Sequence, residues 1–554
     1  MTDLVPRPSV LARGRPIAGA RLSAPGLRTA YAGADTSRAS NIAFWRPPLR
    51  SVDAEVLRDA PTIRARARDL VRNNPYAAHA VRISRIACVG AHLRLALRPD
   101  WRFLGLDHVD AVAWARETER AWDQYAHGPS FWLDAGRGLS FTDMMNLIHD
   151  EDFVSGETLV AVEWDETRPW STCFQVIDID RLSNPDGAPE TDALKGGVEM
   201  DRLGAPIAYH VRNAHPADRT VSVRNPSATF TWTRVPRETA WRRPVMMHSL
   251  QRVRAGQTRG VSEFAASIVA LRMGHEYQEM ELATATAQAS IAAVLTTAAN
   301  LGEALSMVGD GETVDPETGE IITSAARALE ESIEYYNELD MRFNGAKIPK
   351  LAPGDKLDIV GSKHPTSGYT EFVRNQINAV AAGLGVDPIA LSQDYSKANY
   401  ASNKMSFAHN GRAAETRRAR LVRMVGMPMF AAWLEEAIAK GAVAMPKGLR
   451  PDQFYAARDA LCRGTFITAS RALLDPQKER AAQFQGRVIG VETLEQICGE
   501  EGESWEDNLE QIARENAVAT ELGINLPGML PMLPPDVADT ADPKDDETDR
   551  KEDR

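Results

Sequence analysis

FVRNQINAVAAGLGVDPIALSQDYSKANYASN, residues 372–403, is the stretch on which the fold turns. A helix-compatible run reaches Gly383-Leu384-Gly385-Val386-Asp387-Pro388, where glycine and proline stop it. A polar segment follows, Gln393 to Asn403, and then a second long helical pattern begins. Within it Gln393, Asp394, Tyr395, Ser396, Lys397, Asn399 and Tyr400 are too polar to be buried without many partners. They are also too many for a simple two-residue turn. One Asp and one Lys leave the segment nearly neutral. The spacing therefore predicts two helices joined by an exposed polar loop over 392–400.

Downstream of this loop, residues 401–440 read as a long helix that Gly426 and Pro428 must kink, since proline removes a donor and clashes one turn back. Residues 451–523 carry helical segments broken at Asp475-Pro476, ending in a short helix, a Gly turn and an amphipathic helix. Residues 524–554 are Pro-rich and then highly charged: from Asp536 to Arg554 there are nine acids and four bases. That composition predicts a disordered acidic tail.

Upstream, residues 299–368 are turn-rich. GDGETVDPETGE has the acid density of a calcium loop without its ligand order, and AKIPKLAPGDKLDIVG reads as short strands around Pro353-Gly354. A small α/β insertion thus separates two helices, 261–297 and 369–382. The first has no Pro and only Gly274, and 37 helical residues would span about 55 Å. A helix of that length needs neighbours along all of it. Its face with Ala283, Ala285, Ala287, Ala289 and Ser290 suits close packing.

The N-terminal half is α+β. Residues 1–50 hold eight Arg and six Pro and read as a loose arm. From Asp53 the pattern is helical, with Pro61 suited to a helix start and Arg64, Arg66, Arg68 and Arg72 spread around the helix. Asn73-Asn74-Pro75 is a stop-and-restart signal. Two helices are expected within 108–155, with Trp114, Ala121, Trp122 and Tyr125 in the core. The second opens at Ser140 as N-cap and ends at Gly156. Strands are expected at 158–163, 173–179 and 208–211, and one that His248 closes. Asp178 and Asp180 face one side of the IDID run, where turn capping or pairing with Arg is the expectation.

Composition limits function. Net charge is −12, so the chain is a poor general DNA binder, because tight binding needs Lys and Arg to displace phosphate counterions. This counts against a repressor, nuclease or polymerase, but not against a channel that DNA slides through. No run of apolar residues is long enough to span a bilayer, and the Arg-rich N-terminus lacks a signal peptide's apolar run. Both point to a protein that stays in the cytoplasm where it is made. Cys88, Cys173, Cys462 and Cys498 lie far apart with no CxxC, which predicts buried free thiols. GxxxxGK[ST], HExxH and GxSxG are missing, and His210 and His215 lack helical spacing suited to a metal.

Five blocks, in order, resemble phage portal proteins of the lambda type: RARDLVRNNPYAAHAVRISRIACVGAHLRL, QVIDIDRLSNP with GGVEMDRLGAPIAYHV, the R-x-GQxRGVS motif at 254–262, AAGLGVDPIALSQDYSKANYAS, and VETLEQICGEEGESWEDNLEQIARENAVATELGI. The resemblance covers about residues 55–523. It implies a mainly helical α+β portal fold: a flexible arm 1–52, a wing 53–260, a stem helix 261–297, a clip 298–368, and a second stem segment 369–391. A channel-lining loop 392–400, a kinked wing helix and following segment 401–464, a helical crown 465–523 and the tail 524–554 complete it. The implied function is non-enzymatic, with no catalytic residue, cofactor or metal. Twelve copies ring the channel at one capsid vertex, in the virion after assembly in the host cytoplasm. The implied partners are the terminase large subunit, a major capsid or scaffold protein, a head–tail completion protein, and double-stranded DNA passing without sequence specificity. Another ring-forming head–tail protein, or an intracellular hydrolase with an unrecognised site, are the alternatives.

Overall fold

The computed structural model describes residues 44–218, 230–291, 369–396, 400–468 and 476–523, with 34, 42 and the short strand segments 312–314, 321–323, 342–343 and 346–347. The arm before 44 and the tail after 523 therefore lie outside the described residues, apart from 34 and 42. Of the insertion, only the antiparallel strand pairs β9 (Glu312–Val314) with β10 (Ile321–Thr323) and β11 (Arg342–Phe343) with β12 (Ala346–Lys347) are described.

Helix α1 (Val52–Asn73) begins at Ser51, whose hydroxyl accepts from the Ala54 amide. Pro61 lies inside α1 rather than at its start. It sits on the exposed side, where water can meet the carbonyl that loses its partner, while Val56, Ala60, Ala67 and Leu70 form the inward stripe. Asn74 ends α1 and caps α2 (Pro75–Cys88), accepting from the amides of Tyr76 and Ala77. After Gly90 comes β1 (Arg94–Leu97), which pairs antiparallel with β13 (Gly464–Ile467) and so joins the N-terminal part of the chain to its C-terminal part.

A short α3 (Trp101–Leu104) precedes α4 (His108–Ala126) and α5 (Phe141–Ser155). α5 opens on a capping box between Ser140 and Asp143 and closes on Gly156, both ends as the sequence predicts. Strand β2 (Glu157–Trp164) is the centre of a three-stranded antiparallel sheet between β3 (Thr172–Ile177) and β8 (Met246–Leu250). Its first six residues are all buried, because both sheet faces are covered. β8 runs two residues past His248. A second sheet orders β4 (Leu194–Lys195), β5 (Val198–Met200), β6 (Pro206–Arg212) and β7 (Trp232–Pro236).

The expected helix from 261 starts later. Ser262 caps a 3-10 turn, Glu263–Ala266, before α6 (Ile268–Ile291) begins; 292–297 lie outside the described residues. The cause is Phe264, fully buried and edge-on to Phe153 at 5.6 Å, which anchors the turn in the core. The second stem segment is also interrupted: α7 (Tyr369–Leu384) stops at Gly385, whose φ is +61°, and α8 (Pro388–Ser392) restarts on the Asp387 cap.

After the loop, α9 (Tyr400–Leu421), a π-helical turn (Val422–Gly426) and α10 (Met427–Ala439) follow without a gap. Pro428 sits in the first turn of α10, where it costs little, so the irregularity falls on the π turn. Next come α11 (Phe454–Leu461), β13, α12 (Pro476–Val488), α13 (Leu494–Glu500) and α14 (Trp505–Leu522). The largest core surrounds Trp122, which meets Phe141, Phe430 and Trp433 edge-on at 5.3–5.5 Å. Trp114 and Tyr125 are buried as predicted, and Ala121 packs at the margin. No helix among the described residues is long and apolar enough to cross a membrane.

Candidate channel loop and its framework

A buried carboxylate fixes the framework behind the loop. Glu157, at the start of β2, is fully buried. It accepts from Arg64 Nη2 at 3.0 Å, Arg259 Nε at 2.9 Å and the Gly260 amide at 2.8 Å, and it contacts His248 Nε2 at 2.9 Å. Burial pushes the carboxyl up, but Arg259 and His248 outweigh burial and hold it well below the usual carboxylate range. Arg259 also donates to the carbonyl of Leu182 at 2.9 Å. Gly260 and Gly156 allow this closeness: a Cβ on Gly260 would stand 2.1 Å from the Gly156 oxygen. The GQxRGVS motif is therefore a structural hub. Its Thr258 also binds Asp53, through the amide and hydroxyl at 2.9 Å each.

Of the four arginines spread around α1, Arg64 and Arg68, one turn apart, share the inward face, while Arg66 and Arg72 are exposed. Both reach Asp180, at 2.5 and 2.6 Å, and Arg68 also reaches Asp178 at 3.1 Å. Asp178 and Asp180 are thus paired with Arg, and Asp178 caps the 3-10 turn Ile179–Arg181, since β3 ends at Ile177. His215 joins them, its Nε2 3.5 Å from Asp180, a grouping that helical spacing does not reveal. The guanidinium groups supply the cation there. A second His–carboxylate group, His92, Asp123 and His127, has both His127 nitrogens engaged, by Asp123 and by Thr142, at 3.0 Å each.

The loop leaves this framework through α7 and α8. Asp387 accepts from the Ile389 amide at 2.9 Å, and Leu391 is buried against α2 and α7. Gln393 then takes a left-handed conformation, φ +56°, and ends α8. Its side chain contacts His79 Nε2 of α2 at 3.0 Å. Asp394 folds the next residues into a turn: its Oδ1 accepts from the Ser396 amide at 3.1 Å, and its Oδ2 from Arg374 of α7 at 3.2 Å. The Ser396 bonds, with Arg374 beside them, hold the Asp394 carboxyl below its ordinary range. Gln393, Asp394, Tyr395 and Ser396 are all exposed and adjacent. Lys397 and Asn399 lie outside the described residues, and Tyr400 is the first residue of α9, its side chain undescribed.

Sequence reading missed Arg374 and His79, which tether the loop, and Glu157, which has no local signal because Arg259 lies 102 residues away. It also missed the arginines of α9. Arg417 donates to the Leu384 carbonyl at 2.7 Å, and Arg418 to the Cys88 carbonyl at 2.7 Å, satisfying the C-terminal ends of α7 and α2. Burial pushes the thiols of Cys88 and Cys462 up to about 12, which leaves them inert near neutral pH.

The two stem helices touch closely. Gln376 donates to the Ala270 carbonyl at 2.7 Å, across from Gly274, where a Cβ would come within 2.8 Å of the Gln376 amide. Further out, Tyr277 stacks on Tyr369 at 5.8 Å and meets Phe372 at 5.0 Å. Ile268 and Leu271 enter the core, whereas Val269, Met273, Met280 and Leu282 are 61–70% exposed.

The family model for phage portal protein, lambda family, matches residues 38–418, a span that holds the hub, the stem helices and the loop. The chain belongs to the lambda family of phage portal proteins. This portal protein is 31% identical to the portal protein of Escherichia phage N15 over 486 residues, 87% of this chain and 89% of that one. It is 30% identical to portal protein B of Escherichia phage lambda over 503 residues, 90% of this chain and 91% of that one. A chain from the neck of a native gene transfer agent particle, computed with C12 symmetry, aligns at 13% identity and a TM-score of 0.35 over 72% of this chain and 93% of that one.

Proposed function

We propose that this portal protein assembles as a twelve-subunit ring at one capsid vertex, and that DNA enters and leaves the capsid through its channel. The observation that carries the ring is the stem. Helix α6 is 24 residues long, yet among its described side chains only those of its first turns reach a core, and Val269, Met273, Met280 and Leu282 are exposed. Copies packed side by side around a closed ring would bury that surface. Membership in the portal family supports this reading over a hydrolase or another head–tail protein.

Within the ring, Gln393–Ser396 form a collar together with Lys397, Asn399 and Tyr400. Asp394 is partly neutralised by Arg374, so the collar touches DNA by brief contacts without clamping it. The insertion 298–368 is the clip, which docks the terminase large subunit during packaging and a completion protein afterwards. The region 465–523 is the crown facing the capsid interior, and a major capsid or scaffold protein surrounds the wing. The protein moves from host cytoplasm into the virion and performs no catalysis itself.

Mass photometry of the purified protein tests the ring. The expected species lies near twelve times 60.8 kDa. A stable monomer at micromolar concentration would overturn it. Deleting residues 305–350 should leave assembly intact and abolish packaging; normal packaging by that variant would remove the clip assignment.

A further inference from the structure

A groove of about 570 Å³ lies between the second sheet, β8, the π turn and α11. Five arginines line it: Arg237, Arg242, Arg252, Arg423 and Arg458. The only carboxylates in its lining are Glu238 and Asp459, and Asp459 is engaged by Arg458 at 3.3 Å. Among the described residues, no carboxylate pairs with Arg237, Arg242 or Arg423. Between the arginines the half-buried Met424 and Met427 add apolar surface. A strongly basic groove with methionines in its lining, in a protein of net charge −12, calls for an occupant that is both acidic and apolar.

We propose that this groove holds the C-terminal tail of this chain. Beyond Gly523 the sequence has 31 further residues. The first part, INLPGMLPMLPP, alternates Leu and Met with four prolines, the composition of an extended apolar ligand. The second part carries Asp536, Asp539, Asp542 and Asp545, one every three residues. A polyproline helix repeats every three residues and rises about 3.1 Å per residue, so all four carboxylates would lie along one edge, about 9 Å apart. That row matches a wall of arginines, and the Leu and Met side chains match the methionines. Twelve residues, 524–535, precede the first Asp and reach about 37 Å when extended. Held there, the tail would keep duplex DNA off the groove, because phosphate would have to displace the carboxylates.

Arginine-specific labelling with phenylglyoxal, read by peptide mass spectrometry on the full chain, tests this. The comparison variant is full-length with Asp536→Asn, Asp539→Asn, Asp542→Asn and Asp545→Asn. Arg237, Arg242 and Arg423 should react roughly threefold faster in that variant, the change for a site about two-thirds occupied becoming free. Exposed Arg66 and Arg72 on α1 should not change. Raising salt in the wild-type chain should have the same effect as the substitutions. Equal reactivity of the groove arginines in both proteins would overturn the proposal, whether they are open or covered by a neighbouring copy. Protection that appears only on adding a duplex oligonucleotide, and equally with either tail, would assign the groove to nucleic acid instead.

Discussion

Replacing Glu157 by Gln keeps the shape of the side chain but removes the negative charge that Arg64 and Arg259 share. Arg259 is then left without a carboxylate and Arg64 keeps only Asp180, and the expected loss is about 3–5 kcal/mol. A shift in the urea midpoint at pH 7 reads it; a loss below about 1 kcal/mol would mean that the hub is not what holds β2 to α1 and the 3-10 turn. The pH dependence has a defined sign. The Glu157 carboxyl is depressed in the fold, so its contribution is present above the unfolded value near ~4.3 and is lost as pH falls further. Glu119 behaves in the opposite sense. Half-buried on α4, it accepts from the Leu97 amide at 2.6 Å, and burial pushes its carboxyl up to about 7. Its contribution is complete below ~4.3 and is lost as pH rises to about 7. Glu119→Gln, which keeps the acceptor, should therefore stabilise the protein at pH 8 by about 1–3 kcal/mol and have little effect at pH 4.5. Melting curves at the two pH values check this, and a gain that is the same at both would remove the titration argument.

At the scale of elements, α6 separates monomer stability from assembly. Met280 and Leu282 are exposed in the single chain, so Met280→Glu with Leu282→Glu should change the melting of dissociated protein by no more than about 0.5 kcal/mol. The same pair should abolish rings in negative stain, and intact rings would show that this face is not between copies. The π turn is the opposite case. A Cβ at Gly426 would lie 3.2 Å from the Phe466 ring, so Gly426→Ala should cost about 1–2 kcal/mol through overpacking, read as an earlier urea midpoint. These elements also show what the sequence could convey. The bounds of α5 were legible because Ser140 and Gly156 act locally, through a capping box and a left-handed glycine. The polar loop was legible because its composition forbids burial. The late start of α6 was not, since Phe264 is placed by Phe153, a partner 111 residues back. Pro61 misled for a similar reason, because the cap at Ser51 and the inward stripe of α1 outweigh one proline on the exposed side. The tether from Arg374 to Asp394 depends on α7 and α8 folding back over 20 residues, which no local pattern encodes.

For the whole molecule, the proposed ring makes the charge that the loop presents to DNA the decisive quantity. In one copy Asp394 already has a cation beside it, Arg374 at 3.2 Å, and it shapes the turn through Ser396. Changing Asp394 therefore alters two things, the shape of the loop and its field. Asp394→Asn separates them: the amide oxygen still accepts from Ser396, so the turn persists, while Arg374 loses its counter-charge. Asp394→Lys with Ser396→Lys goes further and adds about three positive units per copy, repeated around the ring. Neither position touches the buried hub or the stem contacts, so both proteins should form rings. Packaging should then slow in order of added charge, Asp394→Asn slightly and the double Lys variant strongly, because each extra contact traps phosphate counter-charge. The effect should be largest at low salt and shrink as salt rises, since contacts with phosphate weaken linearly on a logarithmic scale. Packaged genome length against time, at two salt concentrations, distinguishes the outcomes. A double Lys variant that forms rings and packages full-length DNA at the wild-type rate in low salt would place this loop away from the DNA path. A defect that is the same size at both salt concentrations would trace to the shape of the loop rather than to its charge.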